Sequence, residues 1–179
     1  MCGMIFTETN LSGAFLIDLD RREDVRGYFA RVFCVEEFRA KGLSPQVAQC
    51  SISFNHHKGT LRGMHWQAAP KAEAKLIRVT RGAIHDVIVD LRPDSPTRLQ
   101  HITAQLSADN GRMLYIPEGF AHGFQTLAED TEVFYQMTEF FAPECARGAR
   151  WNDPAFGITW PLPKPVMNGR DSTWPDFVG

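Results

Sequence analysis

The sequence predicts an all-β fold, a sandwich or jelly-roll barrel accompanied by a few short helices. Three features carry that prediction. Short runs rich in β-branched and aromatic residues recur at near-regular spacing, turn-forming clusters separate them, and no long helical pattern interrupts them.

Taken in order, strands are expected at 27–33, 47–54, 76–81, 83–91, 100–106, 112–116 and 132–138. The turn signals between them are Lys58-Gly59, Pro93-Asp94-Ser95-Pro96, Asp109-Asn110-Gly111 and Pro117-Glu118-Gly119. Within 83–91 the alternation sets Ile84, Asp86, Ile88 and Asp90 on one face and His85, Val87, Val89 and Leu91 on the other. The best helical segment, 35–41, is short, with Gly42 placed as its C-terminal stop. No internal repeat or linker divides the chain, so residues 1–179 are expected to form one domain. Residues 161–179, rich in Pro and Trp, read as an irregular tail able to pack over the site as a lid.

Composition excludes several classes of function. Nineteen basic against 21 acidic side chains give a net charge of -2, which argues against a nucleic-acid partner held by phosphate attraction. A local basic pocket for a small phosphate ligand remains compatible with that balance. Cys2, Cys34, Cys50 and Cys145 lie far apart with no CxxC, as expected of reduced thiols in a cytoplasmic protein. No apolar run approaches the ~20 residues that span a membrane. Residues 1–10 lack a basic-then-apolar leader, so neither export nor a membrane partner is expected.

Candidate chemistry sits in Gly59-Thr60-Leu61-Arg62-Gly63-Met64-His65-Trp66-Gln67. Arg62 and His65 have opposite parity and would face opposite sides of a flat strand. Gly63 between them permits a bulge that brings both into one cavity. Taken alone, a surface arginine and a packed histidine describe the segment better. A second stretch, Ile116-Pro117-Glu118-Gly119-Phe120-Ala121-His122-Gly123-Phe124, reads as a tight turn beside an apolar pocket, its His122 alone being a satisfied core histidine. Lys75 opens Lys75-Leu76-Ile77-Arg78-Val79, where a lone lysine is ordinarily solvated.

Together, and in this order, these pieces resemble the dTDP-4-dehydrorhamnose 3,5-epimerase family over nearly the whole chain. The likeness begins at Asp24-Val25-Arg26-Gly27-Tyr28-Phe29 and passes through the Arg62–His65 and Lys75 segments to Gly82-Ala83-Ile84-His85-Asp86-Val87 and the His122 segment. It continues through Phe134-Tyr135-Gln136-Met137-Thr138 and Trp151-Asn152-Asp153-Pro154 to Gly169-Arg170-Asp171. The resemblance implies a cupin-type jelly roll, a homodimer, no metal or other cofactor, and a nucleoside-diphosphate-linked 4-keto-6-deoxy sugar as substrate. The family belongs to deoxysugar biosynthesis for surface glycans such as lipopolysaccharide O-antigen. Carried over by position, His65 is the base, Asp171 its carboxylate partner, Tyr135 the acid on the opposite face and Lys75 the cation beside the ketone. Arg26 and Arg62 match diphosphate ligands, for which guanidinium forks are well shaped. Phe29, Gln49, His122 and Phe141 match further substrate contacts.

The departures cluster around the nucleotide. Arg31 and Ala146 replace glutamates, Phe141 replaces a tyrosine that stacks on thymine, Gln49-Cys50-Ser51 replaces Gln-Asp-Asn, and one extra residue lies around 56–58. Reaction class is therefore read more firmly than the base. The alternatives are a single-carbon epimerase, a 3,4-ketoisomerase, a non-catalytic sugar-binding module, and a metal-dependent cupin. For the last, His65, His85 and His122 would have to act as a ligand set, although position 67 is Gln67 rather than a glutamate.

Overall fold

The structure is a computed structural model and describes residues 3–179. Cys2 and the start of the 1–10 segment lie outside the described residues. The chain opens with β1 (Met4–Glu8) and β2 (Phe15–Leu19), then an exposed hairpin of β3 (Arg22–Asp24) and β4 (Gly27–Phe29). After α1 (Val35–Ala40) come β5 (Gln49–Asn55), β6 (Leu61–Gln67), β7 (Lys75–Arg81), β8 (Ala83–Asp90) and β9 (His101–Ser107). The chain continues with β10 (Met113–Ile116), β11 (Phe120–Thr126), β12 (Thr131–Met137), β13 (Ala146–Gly148) and α2 (Gly169–Ser172).

Eleven of these strands form two antiparallel sheets, ordered β1-β2-β10-β7-β12-β5 and β13-β6-β11-β8-β9. Successive strands repeatedly cross from one sheet to the other, which is the jelly-roll arrangement expected from the sequence. Between the sheets lies a core of Ile77, Val79, Leu114, Ile116 and Val133 from one wall and Ile84, Ile88, Leu106, Phe120 and Phe124 from the other.

Two further apolar layers cover the outer faces. Alternation along β7 and β10 turns Leu76, Met113 and Tyr115 away from the central core and onto Phe38 of α1. Phe38 is 1% exposed and meets Phe6, Phe33 and Tyr115 at ring centroid distances of 5.7, 4.9 and 5.8 Å. Burial of such a side chain contributes about 1.5–3 kcal/mol, which explains how a six-residue helix persists here. Gly42, at φ +71°, lets the chain reverse so that the Leu43 amide donates to the Phe38 carbonyl. The expected 27–33 strand stops at Phe29 because Val32 and Phe33 turn inward to join this layer.

On the other side, Met64, Val87, Val89 and Ala121 are covered by Phe156, Ile158, Trp160 and Phe177. The faces of β8 are those the alternation predicts, and both are buried because the C-terminal segment lies across one of them. Residues after 148 are stitched down at several points. Gln125 exchanges two hydrogen bonds with Leu162 at 3.0 Å, Gly59 and Leu61 bond Val166 at 2.9 Å, and Asp153 accepts from the Phe177 amide at 2.5 Å. The tail is thus less irregular than expected and carries its own helical turn, α2.

Candidate active site

The open end between the sheets holds a cavity with two connected parts. The inner chamber, about 340 Å³, is lined by residues of both sheets, among them Gln49, Ser51, Ser53, His122, Tyr135 and Met137. The mouth, about 260 Å³, is bordered by Trp66, Ala146, Arg147, Asn168, Arg170 and Trp174. Arg62, His65, Glu73, Lys75 and Phe141 line both parts. Together they fall within the size of small-molecule sites, about 300–1,000 Å³.

Gly63 is what allows Arg62 and His65 to share that cavity. It sits at φ +136°, and the β6–β11 register shifts between His122 and Phe124. A Cβ built on Gly63 would stand 2.5 Å from the Gly123 Cα, so the two strands touch through glycine backbones. This is the bulge the sequence suggested. The same contact corrects the reading of 116–124 as a tight turn. His122 lies within β11, and Gly123 marks close backbone approach rather than chain reversal.

Each cavity histidine has its own carboxylate. His65 Nε2 lies 2.7 Å from Asp171 Oδ1, and Asp171 is 3% exposed although it comes from α2 in the tail. The Asn168 side chain caps that turn by accepting the Asp171 amide at 2.7 Å. Burial alone would raise the Asp171 pKa, but the His65 ring, the Trp174 indole and the Gly63 amide together hold it below the usual carboxylate value. A neutral His65 that donates one N–H to Asp171 keeps a lone pair on its other ring nitrogen. His122 Nε2 pairs at 2.7 Å with Asp86 Oδ1, both fully or nearly buried. His85 faces the opposite side of β8, its ring 6.1 Å from Trp160. The three histidines therefore do not converge as one ligand set, and among the described residues no His/Cys/Asp/Glu group is arranged to hold a metal.

Tyr135 comes from the other sheet, packed against the central core and 6.4 Å from the His122 ring. Burial, reinforced by the Asp86 charge, pushes its hydroxyl pKa well up, against the opposite pull of Ser53 and Arg62. The phenol thus stays protonated. Lys75 Nζ pairs with Glu73 at 3.0 Å, both largely buried, and so is not the solvated lysine that position alone suggests. Arg62 is steadied by Asn55, which accepts from its Nε at 2.8 Å. Gln49 accepts the Phe141 amide at 2.6 Å, and the Gln67 side chain bonds the backbones of Lys71, Phe140 and Ala142. Gln67 is thereby a brace for the loop that presents Phe141.

The chain has 42% identity over 175 residues to dTDP-4-dehydrorhamnose 3,5-epimerase of Sinorhizobium fredii, covering 97% of this chain and 90% of that one. The family model for dTDP-4-dehydrorhamnose 3,5-epimerase matches residues 8–178. The chain belongs to the dTDP-4-dehydrorhamnose 3,5-epimerase family. Among solved members, the Bacillus anthracis enzyme, determined with TDP and pyrophosphate bound, superposes at TM-score 0.94 with 40% identity, covering 98% of this chain and 100% of that one. The Legionella pneumophila enzyme, in complex with dTDP-4-keto-L-rhamnose, does so at 0.89 with 30% identity, covering 99% and 100%.

Set beside the family pattern, the cavity gathers His65, Asp171, Tyr135, Lys75, Arg62, Gln49, His122 and Phe141. It does not gather Arg26 and Phe29. Both sit on the β3–β4 hairpin, with Phe29 68% exposed and the Arg26 guanidinium paired to Asp24 at 2.6 Å. Of the departures, Ala146 and Phe141 border the mouth, whereas Arg31 pairs with Glu37 at 3.0 Å away from it. Sequence reasoning did not single out Asp86, Glu73, Ser53 or Trp174. Asp86 left one signal, a carboxylate on the same strand face as Ile84 and Ile88.

Proposed function

We propose that this chain inverts C3 and C5 of dTDP-4-keto-6-deoxyglucose, with His65 as base, Asp171 as its partner, Tyr135 as acid and Lys75 beside the ketone oxygen. The observation that carries the reading is the placement of a carboxylate-paired histidine on one sheet and a protonated tyrosine on the other, across one cavity. A C–H beside a ketone is acidic because the electron pair left behind spreads onto oxygen. His65 takes that proton, the resulting enolate oxygen is met by the Lys75 ammonium, and Tyr135 returns a proton to the opposite face. The imidazolium and phenolate left behind reset by exchange with water. In this reading Arg62, which lines both chamber and mouth, holds the diphosphate and Phe141 stacks on the base, roles supported by a guanidinium fork and an aromatic face bordering the same cavity.

Incubation with this substrate in deuterated water, followed by NMR, tests the reading. Deuterium is expected at both C3 and C5. Incorporation at one carbon alone would assign a single-carbon epimerase, and none at either carbon would remove thymidine as the base recognised.

The active form is read as a homodimer in the cytoplasm, where the unpaired Cys34, Cys50 and Cys145 remain reduced. Two features support the dimer: the outer face of β5 exposes Ile52 and Phe54, and the β3–β4 hairpin exposes Val25, Tyr28 and Phe29. In this reading the hairpin of one protomer brings Arg26 and Phe29 to the mouth of its partner's cavity. Arg26→Ala and His65→Asn, each inactive alone, are expected to regain activity when refolded together, because the mixed dimer contains one intact site. A mixture that stays inactive returns the hairpin to its own protomer or removes it from the site.

A further inference from the structure

Glu73 borders both parts of the cavity, and neither proton transfer uses it. It is the one carboxylate lining the inner chamber among the described residues, beside Arg62, His65 and Lys75. The local chain path puts it there. Ala74, 2% exposed, joins the outer layer around Phe38, so Glu73 and Lys75 on either side of it share the cavity face. That path is pinned next to β12. The Ala74 amide donates to Thr138 Oγ1 at 2.8 Å, and its carbonyl accepts the Thr138 amide at 3.0 Å. Glu73 Oε1 stands 3.0 Å from Lys75 Nζ, with the two side chains 13% and 15% exposed. Glu73 Oε2 accepts no hydrogen bond among the described residues and is not enclosed by protein, so its lone pairs face the cavity.

A carboxylate in a cavity that takes an anionic ligand costs affinity unless it meets a donor. On a keto sugar the donors are hydroxyls. A ketone oxygen and the hydroxyl oxygen on the adjacent carbon lie about one hydrogen-bond length apart, ~2.8 Å, the first an acceptor and the second a donor. Lys75 and Glu73 present the complementary pair, a donor and an acceptor, at nearly the same spacing. We infer that Glu73 is a specificity-determining residue whose carboxylate accepts the hydroxyl on the carbon next to the ketone, so that the ion pair reads an α-hydroxy ketone as a unit. The inference deepens the reading of Lys75 as the cation at the ketone and rests on it. In 4-keto-6-deoxyglucose the hydroxyl concerned is that on C3. When C3 turns planar in the enolate, its oxygen and the ketone oxygen lie in one plane, and the same two contacts serve the intermediate common to both C3 epimers. A sugar without that hydroxyl leaves the carboxylate with no donor, and a site built to bond a hydroxyl rejects the analogue that lacks it.

The test compares dTDP-4-keto-6-deoxyglucose with its 3-deoxy counterpart through kcat/KM for deuterium exchange at C5, a carbon the two sugars share. Wild type and Glu73→Ala are each assayed with both, and the ratio of the two preferences cancels any intrinsic difference in C5 acidity. The preference for the 3-hydroxy sugar is expected to be about 10–100-fold smaller in Glu73→Ala, the strength of one charge-assisted hydrogen bond. Glu73→Gln keeps a neutral acceptor; its preference is expected to fall between the two, and it serves if the alanine variant does not fold. An equal loss on both sugars overturns the inference and leaves Glu73 as a tether for Lys75 alone. A second readout needs no turnover: calorimetric affinity for each sugar in His65→Asn and in His65→Asn combined with Glu73→Ala, where the same loss of preference is expected. A wild type without exchange at any carbon, but with a binding preference that Glu73→Ala removes, would keep the role of Glu73 and discard the epimerase reading. Binding that shows the same preference with and without Glu73, or no binding of either sugar, overturns the inference.

Discussion

His65→Asn is expected to lower turnover by about 10²–10⁴-fold, the contribution of a positioned general base, and to abolish deuterium incorporation at both C3 and C5. Asparagine keeps the side chain polar and near in size, so Asp171 retains a hydrogen-bond donor and the mouth its shape. Affinity for dTDP, measured by calorimetry, is expected to remain close to wild type, because Arg62 and Phe141, the proposed contacts to diphosphate and base, are unaltered. The two readouts separate catalysis from binding. A variant that keeps wild-type turnover would remove His65 from the mechanism. One that loses both dTDP affinity and turnover would make the residue part of the binding surface instead.

Tyr135→Phe is expected to uncouple exchange from inversion. His65, on its own sheet, still removes protons and returns deuterium to the face it came from, so label enters the recovered substrate. Protonation from the opposite wall is lost, and product formation is expected to fall by about 10²-fold or more. A variant in which label and product fall together would assign Tyr135 to enolate formation rather than to the final proton. The pH dependence follows from the direction of the Tyr135 shift. Burial, aided by the Asp86 charge, raises its pKa, so the acid form is retained through pH ~10, the ordinary value for a phenol, and is lost only above it. Product formation is therefore expected to show no Tyr135-dependent decline below that pH, and Asp86→Asn to bring such a decline to lower pH.

Much of this site was legible because its residues fall into blocks whose order is distinctive. The alternation in β8, the stop at Gly42 and the bulge at Gly63 were readable from elementary backbone preferences. What escaped was mostly long-range. β1 and β2 carry short five-residue patterns that were not read as strands although Thr9-Asn10-Leu11-Ser12-Gly13 turns the chain between them; β1 is fixed by pairing with β2, and β2 by pairing in addition with the distant β10. β11 resembled a turn because its small residues serve the opposing strand rather than the local chain path. Asp86 lies 36 residues from His122, and Asp171 lies 106 from His65. The local pattern marks Asp86 only as a carboxylate on the Ile84 and Ile88 face and does not name its partner, whereas Asp171 was found through the family likeness alone. Arg26 and Phe29 show the converse: the family pattern names them, while a single folded chain leaves them on an exposed hairpin. Spacing in the sequence left the cysteines' burial open: Cys50 is exposed and Cys145 buried.

The crease at Gly63 has a metrical consequence. Arg62 and His65 are carried by one continuous stretch of backbone, pinned where Gly63 meets Gly123 and leaving no room for a side chain at either glycine. The span between an anionic group gripped at the first residue and a carbon reached by the second is thus a fixed gauge, set by a rigid ruler rather than by two loops that adjust independently. Under the proposed roles of Arg62 and His65, ligands are expected to be sorted by whether their own charge-to-carbon distance matches that ruler. Enlarging the chamber by trimming Ser51 or Met137 would change how much sugar fits inside without changing the length the enzyme measures.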